Sequence, residues 1–234
     1  MKMLINYLKM DMYRMVRQKS FYVCTAMLLI LFNTSNHAMN NFLYYFPKAL
    51  LLPFSVLLFM ALFINEEITS GFIKHIYPLY QKKWQMLAER FLFTCVVYLS
   101  MWLFVVIIAL VLGVLNIFTM NAFSVFDYLA YIVMQMLVIA AVSSFVTMLY
   151  MLTRSHVITV LYVIGYSFSI FYALHMYLSD AFISYYEYTL YHIEITLPEP
   201  FDMLTYGKSL LIIITSAFLY NGITLLILKK RDIA

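Results

Sequence analysis

The chain has 234 residues, of which 65% are apolar or aromatic and only 11% are charged. A soluble domain usually carries about a quarter charged residues, so this composition excludes an ordinary soluble enzyme or binding domain and indicates a membrane protein. The net charge of +4 is small, and it requires no nucleic acid partner to explain it.

The first twenty residues predict an amphipathic helix that lies in the headgroup plane as an elbow before the membrane domain. Its apolar residues recur at helical spacing, and basic and amide residues take much of the remaining surface. No small-residue cleavage site follows, so we do not expect segment 1–20 to be a secretory signal. The alternative is a basic tail that only fixes the topology.

Residues 21–234 predict a domain of six transmembrane helices. Four stretches of 20 to 25 residues hold no Asp, Glu, Lys or Arg and are long enough to cross about 30 Å of hydrocarbon, namely 91–115, 129–152, 157–178 and 209–228. A fifth, 49–65, is interrupted by Pro53, and the first begins at Phe21 and stays apolar to Phe32. The predicted fold is therefore an all-α polytopic membrane protein with an elbow helix and six spans.

The basic residues predict the orientation of these spans. With six spans, all but two of the 15 lysines and arginines fall on one side of the membrane, and only Lys48 and Lys208 fall on the other. Positive charge near span ends marks the cytoplasmic face. We therefore expect a multi-pass protein of the cell membrane with both termini and loop 65–90 in the cytoplasm, and with segment 179–206 outside.

A polar stripe follows the first apolar stretch. Asn33, Asn36, His37, Asn40 and Asn41 recur at i, i+3, i+4, i+7 and i+8, which places them on one face if the helix continues. Such a stripe inside a membrane would face water or protein, as part of a translocation path or of a contact between subunits. The alternative is that the helix ends near Phe32 and the asparagines form an extracellular loop.

Catalytic and cofactor signatures are missing from the sequence. There is no phosphate-binding glycine loop, no HExxH and no GxSxG, so we expect no catalytic residue, no metal site and no cofactor bound by this chain. Cys24 and Cys95 lie in predicted spans as packing residues. His192 and Glu194 lie in segment 179–206, whose five acidic residues are expected to keep much of it wet.

The loop 65–90 carries an apolar row at helical spacing, formed by Ile68, Phe72, Ile76 and Leu79. Its charged and amide residues are expected on the opposite, wet side, and these are Glu66, Glu67, Lys74 and Gln81. The row predicts a short amphipathic helix on the cytoplasmic face that ends at Pro78 and suits docking to a soluble protein. The alternative is that the row packs back on the protein's own spans.

Within this loop, Glu67, Gly71, Ile73 and Lys74 form a Glu-x-x-x-Gly-x-Ile-Lys motif, and Arg90 follows as the next span begins. Together with the elbow helix, the six spans and the basic tail 228–234, this layout resembles the permease subunits of ABC-2 type transporters, in particular small bacterial permeases of peptide export and self-immunity.

The resemblance implies a coupling helix whose contact residues to a separate ATPase are Glu67, Gly71, Phe72, Lys74, His75 and Ile76. It further implies two ATPase subunits that bind ATP and Mg²⁺, a second permease copy or paralogue, and export of amphipathic or antimicrobial peptides. The alternative function is a membrane anchor or sensor subunit that transports nothing and recruits a cytoplasmic partner through the same loop.

Overall fold

The structure is a computed structural model that describes residues 2–30, 43–44, 47, 50–71, 83–114, 124–168, 170, 188–198 and 200–230. Within these residues the chain is all-helical, with eight helices and no strand. They are α1 (Lys2–Arg17), α2 (Lys19–Ile30), α3 (Leu51–Thr69), α4 (Lys83–Val114), α5 (Val125–Thr153), α6 (His156–Ser167), α7 (Leu190–Thr196) and α8 (Met203–Lys230). Four of them, α3, α4, α5 and α8, are long and apolar enough to span a membrane, which indicates a membrane protein.

Short polar side chains mark where several helices begin. Ser124, Ser155 and Thr189 precede α5, α6 and α7, and the side-chain oxygen of each accepts a hydrogen bond from a backbone N–H of the first turn. Asp202 does the same before α8, where its carboxylate accepts from the N–H groups of Leu204 and Thr205. These caps satisfy donors that the helix itself cannot pair.

The core is centred on α5, which is buried along most of its length and contacts α3, α4, α6, α7 and α8. Aromatic rings fill much of the space between α3 and α4, with Phe63 and Phe93 4.8 Å apart between ring centroids. In contrast, α8 is largely exposed, and its outward side chains, such as Phe218, are apolar. An exposed apolar surface of this kind suits contact with lipid or with other membrane helices.

The described spans differ from the predicted ones mainly at their ends. Pro53 does not interrupt a helix, because α3 starts at Leu51 and the proline lies in its first turn, where its missing N–H would be unpaired in any case. The third predicted span starts eight residues earlier than expected, since α4 includes the charged stretch from Lys83 to Arg90. The connection predicted as 65–90 is therefore shorter, because α3 ends at Thr69 and α4 begins at Lys83.

The two remaining apolar helices, α2 and α6, have 12 described residues each, too few to cross a bilayer. The rest of the first predicted span, with Asn33, Asn36, His37 and Asn40, lies outside the described residues, as does most of the end of span 157–178. The count of six spans and the cytoplasmic placement of the termini remain predictions. Helix α1 is present as expected, and a break at Gln18 separates it from α2.

Candidate functional site

Five charged side chains meet where α1, the end of α3 and the start of α4 pack together. They form what we call the ion cluster, Asp11, Arg14, Glu67, Glu89 and Arg90. All but Arg14 are buried, and the Arg14 side chain is 18% exposed. The cluster brackets the loop between α3 and α4, because Glu67 lies just before that loop and Glu89 and Arg90 lie one to two turns after it.

Glu67 is the centre of the ion cluster. Its Oε1 accepts a hydrogen bond of 2.7 Å from Nη1 of Arg14, and its Oε2 accepts one from Nη2 of Arg90. The Arg14 guanidinium also lies over the ring of Phe63, with its central carbon 4.6 Å from the ring centroid. One carboxylate thus connects α1 and α4 to α3 through charge-assisted hydrogen bonds.

Asp11 and Glu89 form the second part of the ion cluster, where two carboxyl groups are buried beside each other. Burial raises the pKa of Asp11, and the negative charge of Glu67 raises it further, whereas Arg90 and Arg14 lower it. Two adjacent buried carboxyl groups are unfavourable when both are ionised, so a proton on one of them is favoured.

α3 ends in a turn formed by Ser70 and Gly71, and the sequence predicts this turn only in part. Ser70 donates its N–H to the carbonyl of Glu66, and Gly71 has a φ of 72°, a left-handed conformation typical of the glycine that follows a helix. Ile68 therefore belongs to α3, which ends at Thr69, one residue after the first member of the predicted row. The direct structural role of Gly71 is to end α3.

The predicted solvent exposure of two glutamates is wrong. Glu67 was expected on the wet side of the loop helix, but it is only 3% exposed, because α1 covers it and Arg14 and Arg90 bind it. Glu194 was expected in a wet segment, but it lies in α7 and is 1% exposed, because α7 packs against α5 and α8. Asp202 of the same segment does remain exposed, and hydrogen bonds from Thr205 lower its pKa.

Glu194 belongs to a second buried polar group on the side of α5 away from the loop. The hydroxyl of Tyr166 donates to Oε2 of Glu194, and Nε2 of Gln135 donates to the Glu194 carbonyl at 2.8 Å and to the Tyr131 hydroxyl at 3.1 Å. Burial raises the pKa of Glu194 to about 8. This group therefore holds α7 against α5 and α6 with a carboxyl that is mostly neutral at pH 7.

Of the predicted coupling residues, the structure describes Glu67 and Gly71, whereas Phe72, Lys74, His75 and Ile76 lie outside the described residues. Among the described residues, no group of three His, Cys, Asp or Glu side chains is arranged to hold a metal ion. No family model, curated protein or solved structure matches the chain.

The residues that the sequence analysis missed are Asp11, Arg14 and Glu89. Arg14 entered only as one of the topology-determining charges, and the two acids were given no role. A signal was available, because Asp11 and Arg14 are three residues apart on one face of an amphipathic helix and form an ion pair of 3.3 Å. Their long-range partners, more than 50 residues away along the chain, left no comparable mark in the sequence.

Proposed function

We propose that this chain is the membrane-spanning permease subunit of an ATP-driven transporter of the ABC-2 type. A separate ATPase subunit docks on the loop between α3 and α4, and two such ATPases act with two permease copies or paralogues in the cell membrane. The chain itself has no role in ATP hydrolysis. The cargo is an amphipathic or antimicrobial peptide, the class that the resemblance implies.

The observation that carries the proposal is the position of the ion cluster. Glu67 and Arg90 connect the two helices that enter and leave the docking loop, and Arg14 connects both to α1. A displacement of the loop would therefore move α1, α3 and α4 together rather than bend one connection. Such a rigid base is what a loop needs in order to pass the movement of an ATPase to membrane helices.

Near the loop, further contacts extend this base to α8. Met86, Leu87 and Leu228 form a small buried cluster with Tyr7 of α1 packed against it. In addition, Nζ of Lys83 donates to the carbonyl of Leu228 at 3.4 Å. The helix ends on the loop side are thus joined by both charged and apolar contacts, which supports transmission of a loop movement to several spans.

The test is purification of the tagged protein from its native membrane in mild detergent, with identification of bound proteins by mass spectrometry and an ATP hydrolysis assay. We expect a stoichiometric ATPase to be recovered with the chain. In the variant Ile76→Asp, the apolar row is broken by a charge, and the ATPase should be lost. The control Gln81→Asp adds the same charge on the side of the loop expected to be wet and should retain it.

The alternative, an anchor or sensor subunit, predicts a different result in the same experiment. A kinase or another regulator would then be recovered through the loop, and no ATP hydrolysis would accompany the complex. Recovery of the ATPase with Ile76→Asp at the level of the unmodified chain would contradict the docking assignment itself. Equal membrane insertion of both variants, checked by their yield and elution volume, is required for the comparison.

A further inference from the structure

The face of α1 that points away from the protein is determined by contacts on the opposite face of the same helix. On that inner face Asp11 is buried, and Nη1 of Arg14 donates to Oε1 of Glu67. At the end of the helix, Nε2 of Gln18 donates to Oε2 of Glu66 at 2.6 Å. These contacts fix the rotation of α1 about its own axis, so the residues on its other side form a defined outer face.

One edge of the outer face is apolar. Ile5, Met12 and Val16 lie within about 40° of one another around the helix axis. They are 42%, 39% and 54% exposed. The hydroxyl of Tyr22 donates to the carbonyl of Val16 at 2.7 Å, and Tyr22 and Val23 are themselves more than half exposed. This edge therefore continues onto α2 as one exposed apolar surface, which is unfavourable in water and is covered by the hydrocarbon of a bilayer.

The other edge of the outer face is basic. Lys9, Tyr13 and Arg17 recur at i, i+4 and i+8, which places them in one row along the helix, and all three are exposed. The Arg17 guanidinium lies over the Tyr13 ring, with its central carbon 4.2 Å from the ring centroid. Lys19, the first residue of α2, is exposed as well. A row of positive charge thus runs beside the apolar edge.

No acidic residue of α1 or α2 balances this row. Asp11 is the only Asp or Glu among residues 1–30, and it is buried on the inner face, where it forms an ion pair of 3.3 Å with Arg14. The basic row therefore has to find anions outside these two helices. Phosphate groups suit lysine and arginine, which bind them through charge-assisted hydrogen bonds.

The two edges together distinguish a lipid from an acidic protein. A phospholipid carries its phosphate directly next to its acyl chains, which matches a basic row beside an apolar edge on one helix. An acidic protein surface would match the basic row, but it would leave the apolar edge that continues onto α2 uncovered. The four long apolar helices of the same chain place a bilayer next to α1 in any case.

We propose that the outer face of α1 binds anionic phospholipids of the bilayer, with their phosphates at Lys9 and Arg17 and their acyl chains along Ile5, Met12 and Val16. The inner face of the same helix belongs to the ion cluster, so bound lipid holds α1 in the position in which Arg14 reaches Glu67. The inference depends on the described residues alone and stands apart from the docking of an ATPase.

The test uses the full-length protein in phosphatidylcholine vesicles that contain a trace of phosphatidylglycerol with a photoreactive group near the top of one acyl chain. Labelled peptides in the unmodified chain should include those from 4–23. A phosphatidylcholine probe with the same photoreactive group should label these peptides about tenfold less, because each lysine or arginine near the head group changes the affinity for an anionic lipid about fivefold.

The variant with Lys9→Gln and Arg17→Gln should lower phosphatidylglycerol labelling of 4–23 about tenfold, to the level of the phosphatidylcholine probe. The matched control is Arg154→Gln with Lys229→Gln. It also removes one exposed arginine and one exposed lysine, at the ends of α5 and α8 nearest the loop, and it should leave this labelling unchanged. The exchange Lys9→Arg with Arg17→Lys keeps both charges and should also leave labelling unchanged.

Equal labelling of 4–23 by the two probes in the unmodified chain would overturn the proposal. An equal loss in the two glutamine variants would overturn it too, because it would show a general attraction of anionic lipid to a basic protein. If the Lys9 and Arg17 variant keeps its lipid labelling and instead loses a protein that purifies with the unmodified chain, the basic row belongs to a protein partner and the proposal is wrong.

Salt dependence in the unmodified chain keeps the test decisive if the α1 variant does not fold. The charges of the basic row are exposed, so raising the salt concentration from about 0.05 M to about 0.5 M screens them. Phosphatidylglycerol labelling of 4–23 should then fall toward that of the phosphatidylcholine probe, which should not change. Phosphatidylglycerol labelling that does not depend on salt would contradict binding through Lys9 and Arg17.

Discussion

Glu67 and Glu194 are both almost fully buried, with exposed fractions of 3% and 1%, yet different interactions stabilise their carboxyl groups. Glu67 lies between the guanidinium groups of Arg14 and Arg90 and forms an ion pair with each. Glu194 is bonded to the Tyr166 hydroxyl, and it takes part in none of the ion pairs seen among the described residues. Burial raises its pKa to about 8, so it is held mostly as a neutral acid.

The difference shows that burial alone does not decide the charge of a carboxyl group, because its partners do. It also separates two kinds of connection in one molecule. The ion cluster joins α1, α3 and α4 beside the proposed docking loop, and breaking it leaves charges without partners. The Glu194 group joins α7 to α5 and α6 by neutral hydrogen bonds, which tolerate replacement by other neutral groups.

The largest expected effect comes from Glu67→Gln. This change removes the anion and leaves Arg14 and Arg90 buried or half-buried without it, and breaking a buried pair in this way costs about 3–5 kcal/mol. The loss is measured as a lower unfolding free energy in mild detergent, followed by intrinsic fluorescence. Glu66→Gln is the control, because Glu66 is exposed and its side chain accepts a hydrogen bond from Gln18, so the substitution should cost about 1 kcal/mol or less.

Equal effects of the two substitutions would contradict the role of Glu67 as the centre of the ion cluster. If Glu67→Gln proves too unstable to purify while Glu66→Gln is normal, the result already agrees with the expectation. Combining Glu67→Gln with Arg90→Met should then recover part of the loss, since the second change removes one of the two charges without a partner.

A smaller effect is expected from the same substitution at the other glutamate. Glu194→Gln keeps a neutral side chain that can still accept from Tyr166, so at pH 5 it should cost about 1 kcal/mol or less. The stability of the unmodified chain should show a larger effect, through its dependence on pH. Between a pKa of about 4.5 in the unfolded chain and about 8 in the folded chain, the folded state binds more protons, so stability falls as pH rises through this window.

The measurement is the unfolding free energy at pH 5 and pH 9 for the unmodified chain and for Glu194→Gln. The unmodified chain should be less stable at pH 9 by an amount of the order of a few kcal/mol, and the variant should lose less, keeping the part of the loss that comes from Asp11. Unchanged pH dependence in Glu194→Gln would show that another group is responsible. Asp11, whose pKa burial also raises, is the first to examine in that case, through Asp11→Asn.

The sequence predicts features that are local along the chain better than contacts between residues that are far apart along the chain. The apolar stretches 91–115, 129–152 and 209–228 correspond to α4, α5 and α8, because about twenty uncharged residues in a row have few other stable states. Their ends were predicted less well. Lys83 to Arg90 looks like a loop by charge, but it is helical because α1 and α3 supply partners for its charges.

The site was harder to predict than the spans. The motif that includes Glu67 lies next to the ion cluster, but the sequence analysis assigned Glu67 to the surface, since nothing local shows that Arg14 and Arg90 bind it from other helices. Glu194 was misplaced for the same reason. A tyrosine-rich segment with five acids looks wet along the chain, and only its packing against α5 shows that one acid is buried.

The smallest expected effect on stability comes from substitutions at Gly71. They distinguish two roles of this residue, which are to end α3 and to allow close contact with an ATPase. Its φ of 72° is unfavourable for alanine, while the space around it is open, so Gly71→Ala should cost about 1 kcal/mol through backbone conformation alone. Gly207→Ala is the control. It also has open space but lies within α8, where alanine should stabilise by about 0.5–1 kcal/mol.

Asparagine tolerates the left-handed conformation better than alanine does, so Gly71→Asn should recover much of the stability that Gly71→Ala loses. The two roles then predict different results in the ATPase purification. If Gly71 only ends the helix, Gly71→Asn recruits the ATPase as the unmodified chain does. If the ATPase backbone must approach closely, Gly71→Asn is as stable as the unmodified chain and recruits less ATPase, because any side chain at this position keeps the two surfaces apart.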